Sequence, residues 1–216
     1  MAVTCAAGLT CAMLPISANA QSTIPGVFST GVDSLGNLLP GAQIDPHYTI
    51  TSSPLGSSSA YATSPINPYW GANTVTSAWI NQTGDATGPT DDEPAGTYVY
   101  TLTFNLVGFN PATANITGEW LSDDSSSIWL NGVQTAFSNT SNTAFAFFTL
   151  NSGFTAGVNT LQFYITQIAQ GPINPEGLQA NIFTATAVAV PEPAPVSLSL
   201  IGCLSWFLIR KLKKQV

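Results

Sequence analysis

The strongest pattern in the chain runs from Thr97 to Leu106. Tyr98, Tyr100, Leu102, Phe104 and Leu106 alternate with Thr97, Val99, Thr101, Thr103 and Asn105. A period of two over ten residues predicts a strand with one buried and one wet face. Shorter apolar runs predict further strands over 75–81, 115–121, 127–130, 144–150, 160–167 and 178–188. Asn131-Gly132, directly after Ile128-Trp129-Leu130, has the signature of a type I′ hairpin turn, because both positions favour positive φ. Gly153 to Asn159 reads as the turn into the next strand. Phe145, Phe147 and Phe148 break strict alternation, so one of them should meet a second surface or mark a bulge.

No amphipathic helical pattern occurs between these runs. About eight strands joined by Gly, Asn and Pro turns predict an all-β fold, a single β-sandwich of jelly-roll type. No internal repeat suggests a propeller or solenoid. The segment 21–68 is rich in Gly, Pro and Ser and weak in periodicity, which predicts a leading extension with an edge strand. The sandwich is expected over 69–189, or from near residue 44.

The two ends differ from the middle. Residues 1–20 resemble a secretory signal peptide: a small, apolar stretch from Ala2 to Ile16, then Ala18-Asn19-Ala20 as an A-x-A cleavage site. Its departure is an amino-terminal region without Lys or Arg. At the other end, Val190-Pro191-Glu192-Pro193 precedes an apolar run from Val196 to Ile209 and then Arg210, Lys211, Lys213 and Lys214. At about 1.5 Å per residue that run spans roughly 21 Å, short of a hydrocarbon layer of about 30 Å. Snorkelling basic stems extend it slightly, and the basic cluster is expected to stay cytoplasmic. The prolines keep the preceding stretch extended and open to a protease.

This proline motif, short membrane helix and terminal basic stop, over 190–216, resemble the PEP-CTERM sorting signal. The resemblance implies an exosortase-type enzyme of the inner membrane as processing partner. It also implies transient membrane anchoring and release of the body to the cell surface or extracellular matrix, often among exopolysaccharide. A second resemblance lies inside the body. Gly118-Glu119-Trp120-Leu121-Ser122-Asp123-Asp124, continuing to Ser127-Ile128-Trp129-Leu130-Asn131-Gly132, and then Ala156-Gly157-Val158-Asn159-Thr160-Leu161, look like the hairpin and turn of galactose-binding-like jelly rolls. These motifs concern turn geometry, and so imply fold more than function.

Charge narrows the function classes. The chain carries 4 basic and 11 acidic residues, a formal net charge of −7, and only 7% charged residues in all. Every basic residue lies at or beyond Arg210, and all the acids except Glu192 precede Val190. A body without Lys or Arg cannot neutralise phosphate, which removes the main driving term of nucleic-acid binding. Cys5, Cys11 and Cys203 fall in the terminal apolar segments, so the body has no thiol or disulfide chemistry. His47 is the only histidine, which leaves a catalytic triad or a histidine zinc site without a partner.

Two kinds of site residue remain. Glu119, Asp123 and Asp124 could supply oxygen ligands to Ca²⁺. The commoner role of Asp-Asp-Ser-Ser is to cap turns through side-chain hydrogen bonds. Asp91-Asp92-Glu93 poses the same choice in a loop. Tyr69 and Trp70, beside Pro68, are the expected sugar-stacking platform, whereas Trp79 and Trp120 lie on apolar faces and are expected in the core. Glu119 with an aspartate would need a cleft and a set separation to act as a glycosidase pair. The expected function is an exported, non-catalytic surface or matrix protein that associates with exopolysaccharide. The alternatives are a purely structural matrix protein or a carbohydrate-active hydrolase.

Overall fold

The computed structural model describes residues 20–87, 93–169 and 174–190. Within them every regular element is a strand and none is a helix. The strands are β1 (Gln21–Thr23), β2 (Ile44–Ser52), β3 (Ser58–Ala62), β4 (Ile80–Asn81), β5 (Gly96–Asn105), β6 (Phe109–Asp123), β7 (Ser125–Leu130), β8 (Val133–Asn139), β9 (Ala146–Leu150), β10 (Val158–Gln167) and β11 (Gly177–Ala189). All pairings are antiparallel, in the order β8-β7-β10-β5-β2-β3-β4-β11-β6-β9, with β1 beside β11. The short pair β3–β4 carries the sheet round one side, so β7, β10 and β5 lie opposite β6 and β11. Rings then meet across the gap: Trp120 of β6 stands 6.5 Å from Phe163 of β10, and Phe148 of β9 stands 6.4 Å from the same ring. This is a sandwich with a single main core.

Alternation explains who fills it. Tyr98, Tyr100, Leu102 and Phe104 of β5, Leu161, Phe163 and Ile165 of β10, and Ile116 and Trp120 of β6 are all buried. Trp79 and Trp120 are both fully buried, as expected. Trp120 Nε1 donates to Ser126 Oγ at 2.8 Å, so the indole keeps a partner in the interior. The three phenylalanines divide as their broken alternation suggested. Phe148 enters the core, Phe145 joins a second cluster around Trp70, Trp79 and Leu121, and Phe147 stays exposed beside Phe183.

The leading segment supplies the edge strand β1 on β11, and from Ile44, the alternative start of the sandwich, it supplies strands of the sheet itself. β2 is an interior strand between β5 and β3, and Tyr48 and Ile50 are fully buried. Pro46 lies within this interior strand, although proline is usually confined to edges. It is tolerated because the β2–β3 register is broken between Ile44 and Thr49, and pairing with β5 begins only at Tyr48, so no ladder bond is lost. The run 75–81 is a strand only at Ile80–Asn81, whereas 115–121 is the middle of the longer β6. β8 and β3 carry no clear alternation of strong apolar residues and were not predicted.

The two body motifs meet in space. Asn131 has φ 53° and Gly132 φ 77°, the left-handed pair of a type I′ turn. Asn131 Nδ2 donates to Gly153 O at 2.9 Å and to Asn159 Oδ1 at 2.8 Å. Asn159 is itself buried. Its Nδ2 donates to Thr155 O and Gly157 O, and its Oδ1 accepts the Thr155 amide. One asparagine therefore closes the turn and clamps the neighbouring hairpin. Removing its side chain takes the partner from three partly buried backbone groups, so Asn159→Ala should lower stability by roughly 1–3 kcal/mol. Urea unfolding would measure this, and a loss below about 0.5 kcal/mol would mean the turn holds without its clamp.

Candidate functional site

Asn67 turns the chain so that Tyr69 and Trp70 part company. Its Oδ1 accepts the Tyr69 amide at 2.9 Å and its carbonyl accepts the Trp70 amide at 3.0 Å. Tyr69 is thrown out to 80% exposure, while Trp70 is 6% exposed. The Trp70 ring stacks on Trp79 at 4.2 Å, and its Nε1 donates to Asp123 Oδ2 at 2.6 Å. Gly177 closes over it, where a Cβ would stand 2.6 Å from Trp70 Cη2. Trp70 therefore has no open ring face, and the expected two-ring platform reduces to Tyr69.

The expected calcium trio does not converge. Glu119 and Asp123 are four residues apart on β6, roughly 13 Å along the strand. Glu119 Oε1 accepts from Asn181 Nδ2, whose Oδ1 in turn accepts from Thr76. Asp123 holds Trp70 and Asn142, and Asp124 Oδ2 accepts the Ile168 amide. Each carboxylate is used as a loop or strand acceptor. Among the described residues no three acids, histidines or cysteines are arranged to hold a metal. Asp91 and Asp92 lie outside the described residues.

A different acidic pair was not foreseen. Glu176 and Glu93 are both buried at the loop end of the sandwich that also holds Asp123. Tyr100 Oη donates to Glu176, lying 2.6 and 2.7 Å from its two carboxylate oxygens, and the Glu176 amide donates to Glu93 Oε2 at 3.3 Å. Burial, and then the neighbouring Glu93, push the Glu176 carboxyl well above the ordinary range, against the Tyr100 hydrogen bond. Burial also raises Asp123, to about 6, aided by Asp124 and opposed by Trp70. Asp45 is raised by burial, although it accepts the amides of Gly31, His47 and Tyr48. No lysine or arginine precedes Arg210 to offset these charges. Glu93 and Glu176 sit in segments of irregular spacing, and nothing in their local sequence marks them as partners.

The most ligand-like surface lies on the outer face of the β8-β7-β10-β5 sheet. These four strands contain no charged residue on either face. Inward alternation sends Ile128 and Phe163 to the core and leaves Trp129 and Tyr164 outside, half-buried and stacked at 4.5 Å with 27° between planes. Trp129 pairs across the strands with Gln162 and Gln134, and its Nε1 donates to Ser127 Oγ at 3.0 Å. Beside Tyr164 runs a trough of about 240 Å³, lined also by Ser125, Ser127, Ser138, Thr140 and Thr166. Hydroxyls, amides and two aromatic faces thus share one uncharged surface. Trp129 was among the aromatic residues visible in the sequence. Tyr164 was hidden, because its proximity depends on the diagonal register of β7 and β10.

Of the sorting tail, Val190 is described. Its amide donates to Gly108 O at 2.8 Å, closing the end of β11. Pro191, Glu192, Pro193, the apolar run 196–209 and Arg210, Lys211, Lys213 and Lys214 lie outside the described residues, as does the signal segment 1–19.

Neither a protein-family model nor a curated protein sequence matches the chain. Among solved structures, a CBM35 from Paenibacillus barcinonensis is 16% identical, with 68% of this chain and 97% of that chain covered and a TM-score of 0.35. A family 35 carbohydrate binding module from an environmental isolate is 14% identical over 61% of this chain and 98% of that chain, with a TM-score of 0.26. The GH26-CBM35 beta-(1,4)-mannanase of Podospora anserina is 12% identical over 62% of this chain and 26% of that chain, with a TM-score of 0.30. Likeness of this order carries no weight for function, which rests on the chain's own residues.

The raised carboxyls set a pH dependence. A group whose folded pKa lies above its unfolded value stabilises the fold below the unfolded pKa, and that stability is lost as pH rises through the folded value. Glu176, Asp123 and Asp45 all act in this sense. Asp33, held low by Asn37 but fully exposed, acts weakly in the opposite sense. The thermal midpoint should therefore be highest at or below about pH 4 and fall as pH rises through 6 and above. Glu176→Gln should flatten the high-pH fall. Calorimetry at several pH values checks this, and a midpoint that climbs toward neutral pH would contradict it.

Proposed function

We propose that this chain is an exported, non-catalytic protein of the cell surface or extracellular matrix, whose jelly-roll body associates with exopolysaccharide. The observation that carries the proposal is the stacked Trp129–Tyr164 pair on an uncharged sheet face rich in hydroxyl and amide groups. Sugar rings present apolar C–H faces to aromatic planes and alcohols to hydroxyls and amides, and this surface offers both. Exposed Tyr69, on the loop that leaves Trp70 buried, is a further stacking group.

A non-catalytic role accords with where the acids are. Glycoside hydrolysis needs two carboxylates facing each other across a cleft. Here Glu119 is bonded to Asn181, and Asp123 and Glu176, although at one end of the sandwich, are taken up by Trp70 and by buried Tyr100.

Export and sorting rest on the terminal motifs: the A-x-A site at Ala18-Asn19-Ala20, and Val190-Pro191-Glu192-Pro193 followed by the apolar run and basic stop. An exosortase-type enzyme would then release the body after a transient stay in the inner membrane. Gln21 pairs with Val188, so the two ends of the described body lie side by side.

Two measurements test the proposal. The secreted protein should be retained on the host's own exopolysaccharide, and Trp129→Ala should weaken retention by about tenfold. A body that passes through unretained, with and without Ca²⁺, would leave only the structural-matrix alternative. Replacing Pro191 and Pro193 with alanine should keep the protein in the membrane fraction. Release at the wild-type rate would remove the processing step.

A further inference from the structure

Resting on the reading that Trp129 and Tyr164 hold a carbohydrate, we infer that the ligand is an uncharged polysaccharide, bound through an internal segment across the outer face of β7, β8 and β10 without a bridging cation. The chemistry of the face supports the first part. Ser125, Ser127, Ser138, Gln134, Gln162 and Thr166 donate and accept neutral hydrogen bonds, matching the alcohols of a neutral sugar. A uronate or sulfated sugar calls for charge-assisted donors, and strands β5, β7, β8 and β10 have none.

The charge of the whole body acts in the same direction. All the acids but Glu192 stand ahead of Val190, and the first cation is Arg210. A polyanionic glycan approaching this body meets repulsion, which salt screens only beyond about 10 Å at 0.1 M. A divalent cation could reverse that sign if carboxylates converged beside the aromatic pair. Among the described residues they do not: Glu119 and Asp123 are engaged elsewhere, and Asp124, next to Ser125 at the end of the trough, stands as a single carboxylate that accepts the Ile168 amide.

Shape supplies the remaining term. The space beside Tyr164 is a shallow trough on a sheet surface, about 240 Å³, and not a blind pocket. Such a trough lets a polymer continue past the site, whereas recognition of a chain end needs a closed terminus. The stacked rings act as the anchor, and the serines and threonines along β7, β8 and β10 follow the chain.

Affinity electrophoresis of the full chain in neutral detergent tests the inference. The gels would contain neutral polymers (a β-glucan, a mannan, a galactan) or polyuronates (alginate, polygalacturonate), each with and without EDTA. Retardation by at least one neutral polymer is expected, with none by the polyuronates and less than about a twofold effect of EDTA. Trp129→Ala and Tyr164→Ala should each weaken the interaction by about tenfold, with circular dichroism and thermal midpoint unchanged. If either variant misfolds, Gln162→Ala should still weaken binding severalfold. Retardation by a polyuronate that EDTA abolishes would overturn the inference while leaving a carbohydrate-binding body. Neutral-polymer binding that survives the folded variants would overturn the choice of face. Failure on every polymer, including the host's own exopolysaccharide, would overturn the proposed function itself.

Discussion

The body of this protein folds without a cation. Ahead of Arg210 there is no lysine or arginine to neutralise a carboxylate, so every polar group in the interior must be satisfied by neutral hydrogen bonds or by staying protonated. That constraint explains the prominence of asparagine, serine and threonine at the joints. Asn159 and Asn131 tie a turn to a hairpin, Thr30 bridges the carbonyl of Ala78 and the amide of Ala180, and Ser126 and Ser122 share a hydrogen bond beneath Trp120. It also explains why the buried acids lean on neutral donors: Tyr100 for Glu176, Trp70 for Asp123, and three backbone amides for Asp45.

The same constraint separates scaffold from surface. Acids that the fold needs are buried or bonded at the loop end, on β6 and on β2, whereas β5, β7, β8 and β10 carry no charge. A sheet face of hydroxyls and amides with two stacked rings is what remains on the outside. Such a face has little electrostatic reach. Its selectivity would come from shape, ring stacking and matched hydrogen bonds.

Legibility in the sequence followed the strength of alternation. β5 and β10 were readable because strong apolar residues recur at every second position, and β11 because of its long run of small and apolar residues. β2 was less legible because the segment around it is rich in Gly, Pro and Ser and weak in periodicity, and only the register break beside Pro46 shows why an interior strand tolerates proline. β8 was missed because Phe137 is its one large inward group and its edge position leaves the rest exposed. The candidate site was half legible. Trp129 was visible as an aromatic residue beside a hairpin turn, but its partner Tyr164 lies 35 positions away, and Trp70 lost its expected exposure to Trp79 and Gly177.

The sequence by itself determined the all-β class, the type I′ turn at Asn131-Gly132, the burial of Trp79 and Trp120, and the confinement of cations to the tail. These follow from local rules: side-chain alternation, the φ preferences of Asn and Gly, and composition. Only the tertiary structure decided which rings are open, which acids are neighbours and which strand fills the middle of the sheet. Those outcomes depend on register between distant strands, where a shift of one residue turns every side chain to the opposite face. No local pattern encodes the meeting of β7 with β10, or of Glu93 with Glu176; they exist because the sheet closes over one shared core.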